Sequence, residues 1–398
     1  MATDSELLYI LGAYKDALSK KNITAIDAVE ASADYYCNKL VSQNDQELLN
    51  LAFQKKLTQE KLDQFLSGWD IEVEGSYRAL LLSYIMKKHP DLTFNEYTGP
   101  RLKGLLNFFK FNNLALISHY TKIVRALNEH GITPMIIKGG VMKYLRPELS
   151  RCMGDIDILI FDDKDYEKSK KIVLDLGYEY SEQPHSIDLH VPGSDAGVLD
   201  IHSYIDIESK YDKRKIINNF KKRATKTNVF GVPTYVPCTE DILFISLVNL
   251  VKNIRNKSSI RGILFTLFDF EYLKNSKSDF DWNIIIDDIR LTNTYSHMII
   301  AIEFANKLVP GILPDFVATN KVMQRNVQKY FERDIYYYRY VYDIRALSGK
   351  TKMHNVHSIK DFFRYLNIKL TKQFRWFVLQ HPVLIKIWLN IASKHGDK

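Results

Sequence analysis

Two aspartates, Asp155 and Asp157, stand one residue apart at the start of the apolar run "DIDILIF". Residues i and i+2 of a β-strand point to the same face, so we expect both carboxylates to project together. Neighbouring carboxylates raise each other's pKa unless a cation compensates their charge. A hard divalent ion such as Mg²⁺, which prefers oxygen ligands, is the usual compensation. The pair therefore predicts a metal site, although a strand end facing water would give the same pattern.

A possible phosphate-binding turn precedes these aspartates in "IIKGG". Gly139 and Gly140 lie where a short apolar strand meets a helix, and glycines there allow backbone N–H groups to approach a phosphate. Lys138 adds a positive charge beside the turn, and Arg151 could reach phosphate oxygens. On its own, "GG" is more often a pair of structural turn glycines than a phosphate-binding turn, but the combination with the two aspartates favours a nucleotide site.

A third carboxylate is needed if two metal ions are to hold an attacking oxygen and a triphosphate. We assign it to Asp200 in "GVLDIHSYI", where it shares one strand face with His202. Asp200 would hold a metal and could help to deprotonate an acceptor hydroxyl. The competing candidates are Asp188 in the preceding strand and Asp206 with Glu208 just downstream.

Two histidines are candidates for supporting these carboxylates. His202 follows Asp200 by two positions, and His190 in "IDLHV" would face the same site if the two strands pair. A half-buried structural histidine accounts for His190 equally well.

The elements that must position these residues change along the chain. Residues 1 to about 130 show helical spacing of apolar residues, whereas residues 133 to 237 alternate short strands with helices. Helical patterns return at Thr239, a predicted N-cap that precedes two acidic residues. We predict four regions: a helical N-terminal region (1–104), an α/β core (105–237), a helical domain (238–320) and a basic, aromatic C-terminal helical region (321–398).

The composition is that of an ordinary soluble globular protein, with 46% hydrophobic and 26% charged residues among 398. The three cysteines are scattered, which argues against a disulfide framework or a zinc site and fits a reducing compartment. We find neither a signal peptide nor an uncharged apolar run of about 18 residues. The sequence therefore predicts a cytoplasmic protein without a membrane span.

Most of the net charge of +8 lies near the C-terminus. Residues 351–398 contain nine basic and two acidic residues, which gives a net charge of +7. Aromatic residues are interleaved with the basic ones. Cations for phosphates and rings for base stacking would suit RNA. A membrane-surface or partner-binding helix is an alternative, as is a core helix whose cations lie at its edge.

The motifs together resemble the uncharacterised bacterial nucleotidyltransferases of the DNA polymerase beta superfamily. The resemblance covers roughly residues 105–315 and is most specific over 136–160 and 197–204. One difference is that Gly139-Gly140 stands where many nucleotidyltransferases have Gly-Ser. The positions that match the family's motifs are Lys138, Gly139, Tyr144, Arg151, Asp155, Asp157, Asp200 and His202.

The resemblance implies a polymerase-beta-type α/β (α+β) core with a mixed sheet, flanked by helical regions. It implies Asp155, Asp157 and Asp200 as catalytic residues that bind Mg²⁺ or Mn²⁺, and Lys138, Gly139, Gly140 and Arg151 as residues that bind a nucleoside triphosphate (NTP). The activity implied is transfer of a nucleoside monophosphate from an NTP to a hydroxyl of an acceptor, with release of pyrophosphate. The resemblance does not identify the acceptor, and our hypothesis is an RNA end, a protein or a small molecule. A catalytically silent nucleotide-binding or interaction scaffold, or a toxin-like enzyme directed at tRNA, are the alternatives.

Overall fold

The computed structural model describes residues 25–70, 76–147, 152–194, 197–207, 211–255, 260–276, 280–292 and 294–313. Arg151, Glu208 and the predicted basic region at 321–398 lie outside the described residues. The described part contains twelve helices and seven strands. The helices are α1 (Ala25–Leu40), α2 (Gln43–Phe53), α3 (Gln59–Ser67), α4 (Ser76–Lys88), α5 (Thr98–Glu129), α6 (Lys138–Leu145), α7 (Asp163–Asp175), α8 (Lys213–Arg223), α9 (Thr239–Arg255), α10 (Ile260–Ser276), α11 (Trp282–Thr292) and α12 (Tyr295–Leu308).

The seven strands form one mixed sheet in the order β3-β4-β5-β2-β1-β7-β6. The central pairs β2–β5 and β1–β7 are parallel, and the remaining neighbours are antiparallel. This arrangement confirms the predicted α/β core with a mixed sheet, which helices precede and follow in the sequence. The strands are β1 (Met135–Ile137), β2 (Ile156–Leu159), β3 (Glu179–Glu182), β4 (Ser186–His190), β5 (Gly197–His202), β6 (Thr225–Val229) and β7 (Val232–Val236).

One face of the sheet is apolar and packs against α5 and α6. Ile156 and Ile158 of β2 and Leu199 and Ile201 of β5 are fully buried there, because alternation along a strand sends them all to this face. Gly140 lets α6 approach this face closely. A Cβ at Gly140 would lie 2.9 Å from side-chain atoms of both Ile136 and Ile156.

The opposite face carries the polar side chains of the same strands and is partly covered by α8 and α9. A buried ion cluster joins these helices to α11: Arg223 of α8 donates hydrogen bonds to Asp241 (2.9 Å from Nε) and Asp288 (2.6 Å). The two carboxylates have 0% and 1% of their side-chain surface exposed. Charged groups are rarely buried this fully unless they are paired, and this cluster ties α9 and α11 to α8.

Residues with positive φ mark the ends of two helices and the turn of one hairpin. Helix α5 ends before Gly131 and helix α7 before Gly177, and both glycines have positive φ, at +82° and +83°. The hairpin β6–β7 turns at Phe230 and Gly231, which also have positive φ.

Of the predicted domain boundaries, the one after residue 237 lies between β7 and α9, whereas the one after residue 104 falls inside α5. No helix among the described residues is long and apolar enough to cross a membrane.

Candidate active site

The carboxylates of Asp157 and Asp200 lie side by side on the polar face of the sheet. The parallel pairing of β2 with β5 places the Cα atom of Asp157 directly opposite that of Asp200. Directly opposed residues on neighbouring strands project their side chains to the same face. The structure therefore brings together two of the three acids that the sequence predicted as metal ligands.

Asp155, the third predicted acid, lies one residue before β2 and is half-buried. Helix α5 holds the segment that precedes it: Met153 N–H donates to Asn113 Oδ1 (3.0 Å), and Asn112 Nδ2 donates to the Met153 carbonyl (3.1 Å). The Asp155 carboxylate is close enough to raise the pKa of Asp200. It thus belongs to the same acidic region, at its edge.

Among the described residues, one group has ligand atoms placed to hold a metal ion, namely Asp157, Asp200 and His202, whose atoms all lie within 4.8 Å of one another. Asp157 and His202 are 5% and 3% exposed. His202 Nε2 lies 2.8 Å from Asp157 Oδ1 and 3.3 Å from Lys138 Nζ. Lys138 also forms a salt bridge with Asp157 through the same carboxylate oxygen. A carboxylate, an imidazole and an ammonium group are thus in mutual contact.

The charges in this cluster act strongly on one another. Burial favours the neutral form of Asp157, but the Lys138 ammonium and the hydrogen bond with His202 outweigh burial and hold its pKa well below the usual range. Burial raises the pKa of Asp200 to about 8, with further contributions from Asp157, Asp155 and Asp188. Asp200 therefore sits in an excess of negative charge, which a bound divalent cation would offset. The donor set of this site fits such a cation.

His202 is neutral at pH 7 in this environment. Burial and the neighbouring Lys138 lower its pKa to about 4. A neutral imidazole can donate from one nitrogen and accept at the other, so Nε2 can donate to Asp157 and fix the orientation of that carboxylate. His202 therefore makes the direct contact with Asp157 that its predicted supporting role requires.

The Lys138-Gly139-Gly140 segment forms the first turn of α6. Lys138 follows Ile137, which pairs with Asp157, so the N-terminus of α6 lies beside the acids. Lys138 adopts a φ of +51°, an unusual backbone conformation for a residue other than glycine. Gly140 has a packing role that the sequence prediction did not include, because it is in contact with Ile136 and Ile156.

Asp188 and His190, which the sequence also marks as candidates, lie near this centre. Asp188 pairs directly with Asp200 from β4, so Asp157, Asp200 and Asp188 form one row across three strands. We call these three residues the acid row. His190 lies at the end of β4, where the register with β5 shifts, and its Nδ1 is buried without a hydrogen bond to any described residue. It is not part of the group of Asp157, Asp200 and His202 whose ligand atoms could hold a metal ion.

Two polar residues beside the site, His185 and Lys252, were not singled out from the sequence, and a third, Asp206, was named there only as an alternative acid. His185 stacks on His202 with ring centroids 5.5 Å apart. Asp206, considered before only as an alternative third acid, accepts a salt bridge from Lys252 of α9 at 2.8 Å. Lys252 belongs to no local sequence motif. Only its place in the helical periodicity of α9 could have indicated that it points toward the sheet.

Among solved structures, the chain is similar to the antibiotic-resistance factor ANT(2'')-Ia in solution, with 12% sequence identity and a TM-score of 0.28 over 57% of this chain and 97% of that chain. No curated protein matches the sequence.

A family model described as an uncharacterised nucleotidyltransferase matches residues 78–310, more than half of the chain. The matched range contains all seven strands, the acid row and helices α5 to α12. The resemblance inferred from the motifs is confirmed, and the chain belongs to this family of uncharacterised nucleotidyltransferases.

Proposed function

We propose that this protein transfers a nucleoside monophosphate from an NTP to a hydroxyl group of an acceptor, and that the reaction requires Mg²⁺ or Mn²⁺. The observation that carries the proposal is the pairing of Asp157 with Asp200 beside the first turn of α6. This arrangement puts acidic metal ligands next to a helix N-terminus and a lysine, which favour phosphate. Family membership supports the class of reaction.

Asp157 and Asp200, with Asp155 at the edge, are the residues that would hold the cations. The chemistry supplied by bound cations is neutralisation of the negative charge on the triphosphate and on the attacking oxygen. His202 would keep the Asp157 carboxylate in position through its 2.8 Å contact. Lys138 would turn from Asp157 toward the phosphates, and the N–H groups of the first turn of α6, at Gly139 and Gly140, would bind them.

In the transfer, the acceptor hydroxyl oxygen forms a bond to the α-phosphorus. The bond between that phosphorus and the oxygen bridging to the β-phosphate breaks, and pyrophosphate leaves with the electron pair. The hydroxyl proton passes to Asp200. The contribution of the protein is then mainly positioning and charge stabilisation.

The direct test is incubation of the full chain with each of the four NTPs labelled at the α-phosphate, Mg²⁺ or Mn²⁺, and pools of tRNA, protein and metabolites. We expect label to appear in one acceptor pool with the wild type and to be absent with an Asp157→Asn, Asp200→Asn double variant. Transfer that survives in the double variant would refute the site. Absence of transfer to any pool by the wild type would favour the hypothesis of a catalytically silent scaffold. Label in tRNA alone would favour the hypothesis of a toxin-like enzyme directed at tRNA.

A further inference from the structure

Large apolar side chains stay exposed to solvent along one side of helix α5. Phe108 is 64% exposed, Phe111 69% and Leu114 52%. These residues are three apart, so they follow one another along the helix surface. Single exposed apolar residues are ordinary, but three large ones in a row indicate a binding surface. We call this side of α5, from Phe108 to Arg125, the outer face.

The opposite side of α5 is fixed against the sheet. Tyr120 is fully buried, and its hydroxyl oxygen lies 2.7 Å from Oγ1 of Thr234 in β7. Phe109 and Leu116 are each only 5% exposed on the same inner side. Helix α5 therefore already has the apolar contacts that hold it in the fold. The exposed phenylalanines of the outer face are additional to those contacts.

The charge of α5 is strongly positive. Its 32 residues contain five basic side chains and one acidic one, a net charge of +4. Lys103 and Lys110 are exposed on either side of Phe108 in the sequence. The acid is Glu129, the last residue of the helix. A molecule that covers the outer face has to carry negative charge. The basic residues are Arg101, Lys103, Lys110, Lys122 and Arg125.

A groove continues the outer face toward the C-terminal end of α5. It has a volume of about 560 Å³ and extends from α5 to Leu176, directly after α7. The cations of Lys122 and Arg125 line it together with the hydroxyl groups of Ser118 and Thr121. Pockets for small ligands have volumes of about 300–1,000 Å³, so one nucleotide unit fits in this space.

The two cations of the groove are available to an anion. Lys122 Nζ donates to the Leu176 carbonyl (3.3 Å) and lies 5.1 Å from the ring centre of Tyr178, which holds it at the groove. Arg125 is exposed and has no carboxylate partner within the described ranges. Its guanidinium can therefore donate two parallel hydrogen bonds to a phosphate. Glu129 is the single acid that lines the groove.

Charge complementarity distinguishes the possible occupants of the outer face. A second copy of the chain would bring an equally basic helix, and residues 351–398 carry a net charge of +7, so both would be repelled. An acidic protein segment would meet the cations, but its carboxylates would have to lie among exposed rings. A single strand of nucleic acid has one phosphate for a cation and one base for a ring in every unit. The mixture of rings and cations therefore favours such a strand.

We propose that the outer face of α5 binds single-stranded nucleic acid. Phe108 and Phe111 stack on bases, and Lys122 and Arg125 bind backbone phosphates in the groove. The helix rises about 16 Å from Phe111 to Lys122, so one strand that runs along α5 reaches both parts. The inference goes beyond the proposed nucleotidyl transfer and does not depend on it, because none of these residues belongs to the acid row.

The test of the rings is fluorescence anisotropy with labelled single strands of about 16 nucleotides, titrated with the full-length protein. One strand is RNA and the other is DNA of the same sequence. We expect the double variant Phe108→Leu, Phe111→Leu to bind about tenfold more weakly or worse, because leucine keeps the apolar surface but cannot stack on a base. The double variant Phe108→Tyr, Phe111→Tyr keeps both rings and should bind within about twofold of the wild type.

The test of the cations uses the double variant Lys122→Gln, Arg125→Gln in the same titration. We expect weaker binding, and a slope of log affinity against log salt concentration that is smaller by about 1.4, since two phosphate contacts are lost. The Phe108→Leu, Phe111→Leu variant should keep the slope of the wild type. The matched control is Lys55→Gln, Lys56→Gln, which removes two exposed lysines between α2 and α3 and should change affinity less than about twofold.

Three results would overturn the inference. Binding that is unchanged in both α5 double variants would place the nucleic acid elsewhere on the chain. A duplex of the same sequence that binds as tightly as the single strands would exclude stacking on the exposed rings, because its bases are already stacked. A wild type that binds neither the RNA nor the DNA strand would leave an acidic protein segment as the occupant. Losses limited to the α5 variants, with either strand or both, uphold the site and show which sugar it accepts.

Discussion

Asp157 and Asp200 face each other Cα to Cα across the parallel strands β2 and β5. Their neighbours on those strands are fully buried isoleucine and leucine residues that point to the opposite side of the sheet. The two strands therefore form an apolar layer on one side and present acids on the other. Asp188 extends the acids to the next strand, so the contributions of Asp200 and Asp188 have to be distinguished by experiment.

We expect Asp200→Asn to lower nucleotidyl transfer at least 100-fold, because it removes a metal ligand paired with Asp157. Asp188→Asn is the matched substitution one strand further along the acid row, and we expect it to lower the rate less than tenfold. Initial rates with labelled NTP, together with a thermal melt of each variant, provide the measurement. The opposite ranking of the two variants would make Asp188 the third catalytic carboxylate.

Much of the core could be predicted from local sequence patterns. Alternation of apolar and polar residues identified β2, β4 and β5. The face shared by Asp200 and His202 follows from the period of a strand alone. These features depend on residues close together in the chain, where single-sequence reasoning is strongest.

Contacts between distant residues could not be predicted in this way. The register that pairs Asp157 with Asp200, and the salt bridge between Lys138 and Asp157, depend on strand order, which no local pattern fixes. Gly140 was interpreted as a phosphate-binding glycine, and its contact with β1 and β2 appears only when α6 is placed on the sheet. Lys252 lines the site because α9 crosses it, and nothing near Lys252 in the sequence marks it as functional.

Removing the ammonium group of Lys138 should make the protein more responsive to Mg²⁺. Lys138→Met leaves the buried Asp157 carboxylate without its counter-ion, and we expect a loss of about 1–3 kcal/mol of stability, reduced from the cost of a fully buried pair because Lys138 is 30% exposed. A divalent cation can replace the lost charge. Differential scanning fluorimetry should therefore show a larger Mg²⁺-induced rise in Tm for Lys138→Met than for the wild type.

An equal or smaller Mg²⁺ response in Lys138→Met would contradict the assignment of Asp157 as a metal ligand. Asp157→Asn is the control for this experiment, since it removes the carboxylate itself. We expect its Tm to be nearly insensitive to Mg²⁺.

The ion cluster of Arg223 should be essential for attachment of the helical region. Arg223→Met would leave Asp241 and Asp288 buried without their cation, and we expect a loss of about 3–5 kcal/mol in the free energy of unfolding. Arg290→Met is the control, because Arg290 pairs with Asp287 at the surface, with 57% and 61% of the two side chains exposed. Its expected loss is about 0–1 kcal/mol. Urea denaturation that gives similar losses for both would contradict this role.

The same cluster predicts a dependence of stability on pH. Burial, with repulsion by Asp241, outweighs the attraction of Arg223 and raises the pKa of Asp288 from 3.8 to about 6. Between these values the folded state binds more protons than the unfolded state, so the contribution of Asp288 is complete below about pH 4 and is lost as the pH rises through 6. Asp288→Asn removes this titration.

We therefore expect the stability of Asp288→Asn, measured relative to the wild type, to improve between pH 4 and pH 7 by about 1–3 kcal/mol. Urea denaturation of both proteins at several pH values gives this difference directly, since the titration of other groups cancels. A difference that stays constant with pH would contradict the raised pKa of Asp288.

Gly140 connects the packing of the sheet to the position of the proposed phosphate-binding turn. Gly140→Ala would place a Cβ 2.9 Å from side-chain atoms of Ile136 and Ile156, and we expect this overpacking to cost about 1–3 kcal/mol despite the higher helix propensity of alanine. Helix α6 can relieve the contact only by moving away from the sheet. That movement would displace Lys138 from Asp157, so we expect transfer activity to fall as well.

Gly104→Ala in α5 is the matched control, because Gly104 is exposed and a Cβ there would meet no atom within 4 Å. Alanine at this position should stabilise the protein by about 0.5–1 kcal/mol without changing the rate of transfer. Urea denaturation and the labelled-transfer assay on both variants provide the comparison. If both substitutions stabilise the protein equally, the close approach of α6 to β1 and β2 does not exist in solution, and the position of Lys138 must have another cause.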